Sequence, residues 1–406
     1  MPLNSIAIGV TILVGMMLFR RRVVGSAQWR ATVTPLASII GSGFLIIAPL
    51  LHSVMGKWAL LGIVGLSVFA YGLGWVIRYN ILHAEPILQQ QTRGTVARLE
   101  QAAQWSLGAA YAISVAFYLS LFIAFVFDRI GIVDPTLAKW ATTALLMGIM
   151  GVAWWRGARG LEWIELFAVS IKLAIIIGVL VALLTYDVMT GTEWFAHDSI
   201  GDFTTTQMLA MLAGMLMVTQ GFETARFMGA HYSVVQRINA VKYSQWIATA
   251  LYIIFIGLTC PIFLTYPIVE LNETTISHTL GQVVWVLPLL LLVAATASQL
   301  SAALADTIGG GGLLRELAKA RLPTNLYYML IIALAAVLVW VANVFEIINF
   351  ASKGFALYYL IQVLIALQVM ARRPAQPGKA LMLVAGGVMA CLLVFVIGWS
   401  IPAPHS

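Results

Sequence analysis

The chain has 406 residues, of which 61% are hydrophobic and only 10% charged, with 23 Lys and Arg against 16 Asp and Glu and a formal net charge of +7. Soluble globular proteins carry about 25% charged residues, so a chain of this composition has too little polar surface to fold in water. Soluble enzymes, nucleic-acid binders and disordered scaffolds are excluded as readings, which leaves an all-α polytopic membrane protein.

A membrane helix needs about 20 apolar residues at a rise of 1.5 Å each. By that measure the sequence predicts twelve spans, at 4–19, 31–52, 58–77, 105–127, 140–155, 163–186, 206–229, 246–266, 278–305, 326–342, 347–370 and 380–400. The first span precedes Arg20-Arg21-Arg22. A signal peptide carries its positive charge before the apolar run, so this segment reads as a retained helix with its N-terminus outside. Most basic residues then fall in cytoplasmic loops, among them Arg78, Arg156, Arg226, Arg237 and Arg373, while Asp128, Asp134, Asp187 and Glu273 gather outside. The expectation is an integral plasma (bacterial inner) membrane protein with both termini outside. Its basic balance belongs to the bilayer and implies no nucleic acid. The loops 86–102 and 187–204 are too short for independent domains.

Two spans are interrupted by glycine. The second reads Ile40-Gly41-Ser42-Gly43-Phe44 and the seventh Thr219-Gln220-Gly221-Phe222-Glu223. Gly41 and Gly221 are separated by nearly the same number of positions as Lys172 and Lys353, the two lysines within spans. Each block contains five spans, so the second copy enters the membrane from the opposite side. This predicts an inverted repeat, 31–186 and 205–370, joined by an external loop at 187–204. Residues 1–30 form an accessory helix with its basic loop, and 371–406 hold a terminal helix. Broken helices leave backbone groups without partners at membrane depth, tolerated only where a cavity, ion or solute satisfies them. Paired interrupted spans therefore point to a midplane binding site. The competing reading is that these glycines only allow close helix packing.

These segments resemble the amino acid–polyamine–organocation (APC) superfamily of transporters. Ile40 to Phe44 looks like its broken first core helix, and Gln220-Gly221-Phe222-Glu223 like its broken sixth. Ser298-Gln299-Leu300-Ser301 with the segment Leu314 to Pro323 is similar to its eighth helix and following loop, and Ile171-Lys172-Leu173 matches its fifth. The resemblance covers about 31–370 and implies the leucine-transporter-type fold with alternating access. The extra N-terminal helix also resembles the sodium/solute symporters.

Lys172 lies about 14 Å along its span. A charge at that depth should face the bundle interior. The resemblance implies that this lysine can stand in place of a bound sodium and couple transport to protons; the structural alternative is a pair with Glu165. The competing coupling ion is sodium, held by the carbonyls of Ala37 and Ile40 with the hydroxyls of Ser298 and Ser301. Glu223 reads either as a gate or as the partner of Arg226 three residues on. Lys353 reads as reaching toward the outer surface. Asp306, beside Gly309-Gly310-Gly311-Gly312, reads as a solvated helix end or a hinge. Tyr111, Ser114 and Tyr118 form a stripe that borders the central site or simply packs, and Asn349 and Gln362 are polar at depth.

The function expected from all this is ion-coupled symport or exchange of a small organic solute, an amino acid or a related compound. The solute would be bound by Ile40, Gly41, Ser42, Gly43, Phe44, Tyr111, Tyr118, Thr219, Gln220, Gly221 and Phe222. Lys172, Glu223, Ala37, Ser298 and Ser301 would handle the coupling ion, H+ or Na+. The sequence carries no covalent-chemistry motif, the two cysteines lie in apolar runs and the histidines lack ligand spacing, so no enzyme, cofactor or firm metal site is expected. The alternative is a transporter-like sensor or channel, which would need a signalling domain or a continuous polar stripe.

Overall fold

The computed structural model describes residues 2–41, 43–90, 93–156, 161–191, 203–229, 231–268, 271–374 and 377–403, with no account of the side chains of 152–165. The described residues are helical with no strands. In chain order, α1 spans Pro2–Leu18, α2 Arg21–Val24, α3 Ala27–Gly41 and α4 Phe44–Met55. Then follow α5 at Ala59–His83, α6 at Glu85–Gln90, α7 at Thr95–Ile130, α8 at Pro135–Arg156 and α9 at Leu161–Thr190. The second half holds α10 at Thr205–Gly214, α11 at Val234–Thr265, α12 at Thr275–Val283 and α13 at Leu287–Leu317. The last three helices are α14 at Thr324–Val341, α15 at Val344–Arg372 and α16 at Lys379–Trp399.

Among the described residues, eight helical stretches are long and apolar enough to cross a membrane, against the twelve expected. One of them, Phe44–Gln90, joins parts of two expected spans, and α1 is apolar but shorter than these eight. The break between α3 and α4 cuts the first of those two, 31–52, and the break after α10 cuts the span expected at 206–229 into short pieces.

Local sequence sets several helix starts. Thr204, Ser233 and Asn343 each cap a helix with their side chain, and Gln207, Gln236 and Glu346 bond back to close a capping box. The core lies where α7 packs along α13 and α15, with α11 against α3 and α5 on the other side. The accessory α1 lies on α9. A Cβ at Gly178 of α9 would stand 2.1 Å from Thr11 Oγ1 and 2.7 Å from the Ala7 carbonyl, so only glycine admits α1 this closely. At the other terminus the Ile401 N–H donates to the Ala210 carbonyl at 3.2 Å.

Two boundaries differ from expectation for physical reasons. The span expected at 278–305 is two elements, because Pro288 starts a new helix near its N-terminus and the chain turns after α12. The new helix, α13, then runs straight through Gly309 to Gly312 instead of breaking there. Neighbours occupy that space: a Cβ at Gly311 would be 2.2 Å from Tyr328 Cδ1, and one at Gly310 3.1 Å from Ile331 Cδ1. These glycines are packing contacts. Likewise α7 begins at Thr95, ten residues before the apolar run expected at 105, because Glu100 on its first turns is buried against partners described below.

Candidate functional site

Both chain breaks fall at the interrupted glycine segments, and they face each other. After α10 the chain makes two tight 3-10 turns, Leu216–Thr219 and Phe222–Met228, with Gln220 and Gly221 between them. Gly221 has φ of +124°, a conformation side chains resist, and a Cβ there would be 2.6 Å from both the Ile39 N and the Ser38 Cβ. At Gly43 the backbone is extended and the limit is space, since a Cβ would stand 2.7 Å from Val218 Cγ2. Each break is thus shaped to the other. Ser42 lies outside the described residues.

Of two side chains that sequence reasoning missed, one ties the breaks together and the other holds the second break. The Tyr252 hydroxyl, from α11, shares its proton between the Ile39 carbonyl at 2.9 Å and the Val218 carbonyl at 2.8 Å. One phenol therefore bonds to both broken segments, where helix carbonyls lose their intrahelical donors. Ser352 on α15 accepts from the Met217 N–H at 2.9 Å and donates to the Gly214 carbonyl at 2.7 Å. Neither residue stands out in the sequence, because a tyrosine or serine inside an apolar run carries no local sign of its tertiary partner.

Beside the first break, Lys172 of α9 is buried, with its Nζ donating to Ser298 Oγ at 2.7 Å and to the Ala37 carbonyl at 3.2 Å. Ile40, Phe44 and Gln299 line the same small cleft. Gly41 lies alongside, its Cβ position 3.8 Å from Lys172 Nζ. The structure therefore gathers Ala37, Ile40 and Ser298 around the lysine, so the ammonium takes up the carbonyl and hydroxyl that a sodium ion would need. Ser301 is buried one turn further along α13 and is not bonded to Lys172. The side chain of Glu165, the expected alternative partner, lies outside the described residues.

On the other side of the breaks sits a set of buried aromatic and polar groups. Phe44 stacks on Phe255 at 4.5 Å, and Phe222 stacks on Tyr359 at 5.2 Å. Gln220 is buried and neither polar atom of its amide has a hydrogen-bond partner. The Tyr118 hydroxyl lies beside Ser38 and Gln220 without a hydrogen bond of normal geometry. Tyr111 is buried within the electrostatic reach of Glu223 and Asp306. Two of the polar residues near the breaks are satisfied locally. Thr219 donates to the Leu216 carbonyl at 3.1 Å, and Ser114 to the Ala110 carbonyl of its own helix at 3.2 Å.

Glu223 does not pair with Arg226, contrary to one of the two readings of the sequence. Its Oε2 accepts from the Gly221 N–H at 2.8 Å and the Tyr359 hydroxyl at 2.5 Å, while Oε1 has no partner. The arginine is engaged by other partners. Arg226 donates to Glu100 at 2.9 Å and to Gln362, with Glu85 3.9 Å from its Nε. Arg237 holds Glu85 through two bonds of 2.9 and 2.7 Å and donates to the Arg226 carbonyl at 2.9 Å. Asn80 of α5 bonds Gln362 twice. Both arginines, counted as loop charges in the sequence, are buried. Asp306 is likewise buried rather than a solvated helix end, because α13 continues past it. Lys353 is half-buried, and Asn349 is buried with its Oδ1 unpartnered.

This architecture of facing breaks has known relatives. A family model described as an APC superfamily transporter matches residues 21–398. An uncharacterized protein of Aquifex aeolicus (strain VF5) is 42% identical over 342 residues, covering 83% of each chain. Among solved structures, a mutant of the Eremococcus coleocola manganese transporter superposes with a TM-score of 0.57 at 15% identity, over 91% of this chain and 87% of that one. The same transporter in complex with an aromatic bis-isothiourea substituted compound gives 0.54 at 13% identity, over 91% and 86%. At such identities the structural likeness shows the fold alone. The sequence match is of another order: it covers most of the chain, and the chain belongs to the APC superfamily transporter family.

Proposed function

We propose that this transporter moves a small organic solute, an amino acid or a related compound, by proton-coupled alternating access between its two broken helices. The observation that carries the reading is the pair of facing breaks with unsatisfied buried polar groups between them: Gln220, Tyr118 and Glu223 Oε1. Buried polar atoms without partners cost free energy unless something fills them, and a solute with hydrogen-bonding ends would do so. No side chain caps the start of α4, so its first N–H groups suit a carboxylate. Glu223 Oε1 suits an amine.

Lys172 supports protons over sodium as the coupling ion. Its ammonium ties α9 to α3 and α13 through charge-assisted bonds. Loss of the proton weakens both and loosens α3 from α13, which links protonation to movement of the first broken helix. The solved neighbours carry manganese in their names, but here no three His, Cys, Asp or Glu converge among the described residues, and a lysine stands beside the break. An organic solute fits these groups better than a metal ion. The reading includes the inverted repeat of 31–186 and 205–370 and termini on the outer side.

A counterflow screen of labelled amino acids in proteoliposomes tests the solute class, with Gln220→Ala alongside. One or more amino acids should exchange in the parent, and the variant should bind its solute about tenfold more weakly, the order of one lost hydrogen bond of the stronger kind. Absence of counterflow with any amino acid, or an unchanged apparent affinity in the variant, would refute the assignment.

A further inference from the structure

A second site lies far from the breaks, at the end of the bundle that the charge asymmetry assigns to the cytoplasm. A cleft of about 360 Å³ opens between α5, α11, α15 and α16. Arg78, His83, Arg373 and Lys379 converge on it, and among the described residues no acidic side chain lines it. Its other walls are apolar or aromatic, with Trp75, Ile238, Met370 and Met382 among them. The aromatic rungs of α5 recur one helical turn apart: Trp75 and Tyr79 lie 5.5 Å apart, and Tyr79 and His83 4.5 Å.

The basic groups are held by neutral partners rather than by counter-ions. Arg78 donates to Gln245 Oε1 at 3.4 Å and sits over the Tyr71 ring at 4.8 Å. Lys379 donates to the Ala371 and Arg373 carbonyls at 3.1 and 2.6 Å. Arg373 donates to His83 Nε2 at 2.8 Å. Three permanent cations thus face one cleft with nothing negative among its lining residues, at the depth where Trp and Tyr mark the membrane interface. Like charges gathered without a counter-ion are unfavourable, and an anion resting among them removes that cost. Its apolar wall is open to the bilayer, since Leu82 and Met382 on the rim are exposed.

We propose that this cleft binds an anionic phospholipid, its phosphodiester among Arg78, Arg373 and Lys379 and its acyl chains along Leu82, Met370 and Met382. A basic pocket between helices at the cytoplasmic interface is the setting in which anionic headgroups are recognised. The charge supplies the phosphate contact and the open apolar wall selects a lipid over a soluble phosphate. The site joins α5 and α11 to α15 and α16, so the lipid would bridge both broken-helix packing partners and the C-terminal helices.

The test is native mass spectrometry of the full chain after graded delipidation from vesicles of phosphatidylglycerol mixed with phosphatidylcholine. The parent should retain phosphatidylglycerol preferentially, and Arg373→Gln should lower that retention about fivefold, the order expected for one basic contact near the surface. Arg78→Gln should act similarly, and Arg373→Lys, which keeps the charge, should retain most of the binding. Arg373 is exposed, so its variants report binding without depending on the fold of the core. Equal retention of both lipids, or an Arg373→Gln variant indistinguishable from the parent, would overturn the proposal. Displacement of the lipid by millimolar inorganic phosphate would also overturn it, by reassigning the cleft to a soluble anion. None of these readouts depends on transport.

Discussion

Tyr252 ties together the two segments that the fold must keep broken. Its hydroxyl bonds carbonyls from both breaks, and the side chain that makes these bonds is buried. Tyr252→Phe keeps the ring, and its packing on Phe44 at 5.5 Å, while removing the bridge. The variant should lose about 1–2 kcal/mol of stability, read as a lowered midpoint of unfolding in detergent with full retention of helical content. An unchanged midpoint would show that the bridge carries no weight. Sequence alone gives no hint of this residue. Lys172 is the contrary case, since a lysine within a long apolar run is costly and so conspicuous. What the sequence left open there was its partner, and the partners are Ser298 and the Ala37 carbonyl. The same gap explains Glu223: spacing of three suggested Arg226, but Gly221 and Tyr359 take the carboxylate while Glu100 and Gln362 take the guanidinium.

At the scale of elements, glycine has two opposite roles in this chain. Around Gly43 and Gly221 it accompanies a break, whereas in α13 a run of four continues a helix so that neighbours can approach. The sequence shows the run but not the neighbours, which is why Asp306 beside it read as a solvated helix end or a hinge. Gly311 and Gly312 separate the two effects within one turn. Gly311→Ala drives a Cβ into Tyr328 and should destabilise by about 1–3 kcal/mol. Gly312 has nothing within 4 Å of its Cβ position, so Gly312→Ala should be neutral or stabilise by up to about 1 kcal/mol through helix propensity. Thermal unfolding of the two variants side by side checks this, and equal effects would mean that α14 does not pack against α13 as described. Helix ends were more legible than some helix starts: α11 ends at Thr265, beside the expected 266, but begins at Val234, well before the expected 246, from a capping box at Ser233 that the apolar pattern does not show. The early start of α7 was hidden, since the charge of Glu100 is buried only by a partner 126 positions away.

For the whole molecule, composition was enough to read a polytopic membrane protein, and the long apolar runs made its spans helical. Its family was legible from short motifs at the breaks and along α9 and α13. The buried network of Arg226, Glu100, Gln362, Asn80, Glu85 and Arg237 was not, for it draws on α5, α6, α7, α11, α15 and the turn after the second break. Removing one member would strand a buried charge, which is more costly than never having had the pair. In the proposed alternating access, the elements that carry this network and the Lys172 contacts would move relative to each other. Under the proposed function, Lys172 is the group through which an ion gradient acts on the first broken helix. Solute uptake by proteoliposomes under an imposed proton gradient or an imposed sodium gradient, for the parent and for Lys172→Ala, tests this directly. Uptake driven by protons, indifferent to sodium and abolished in the variant is the predicted result; sodium-driven uptake that survives the loss of Lys172 would contradict it.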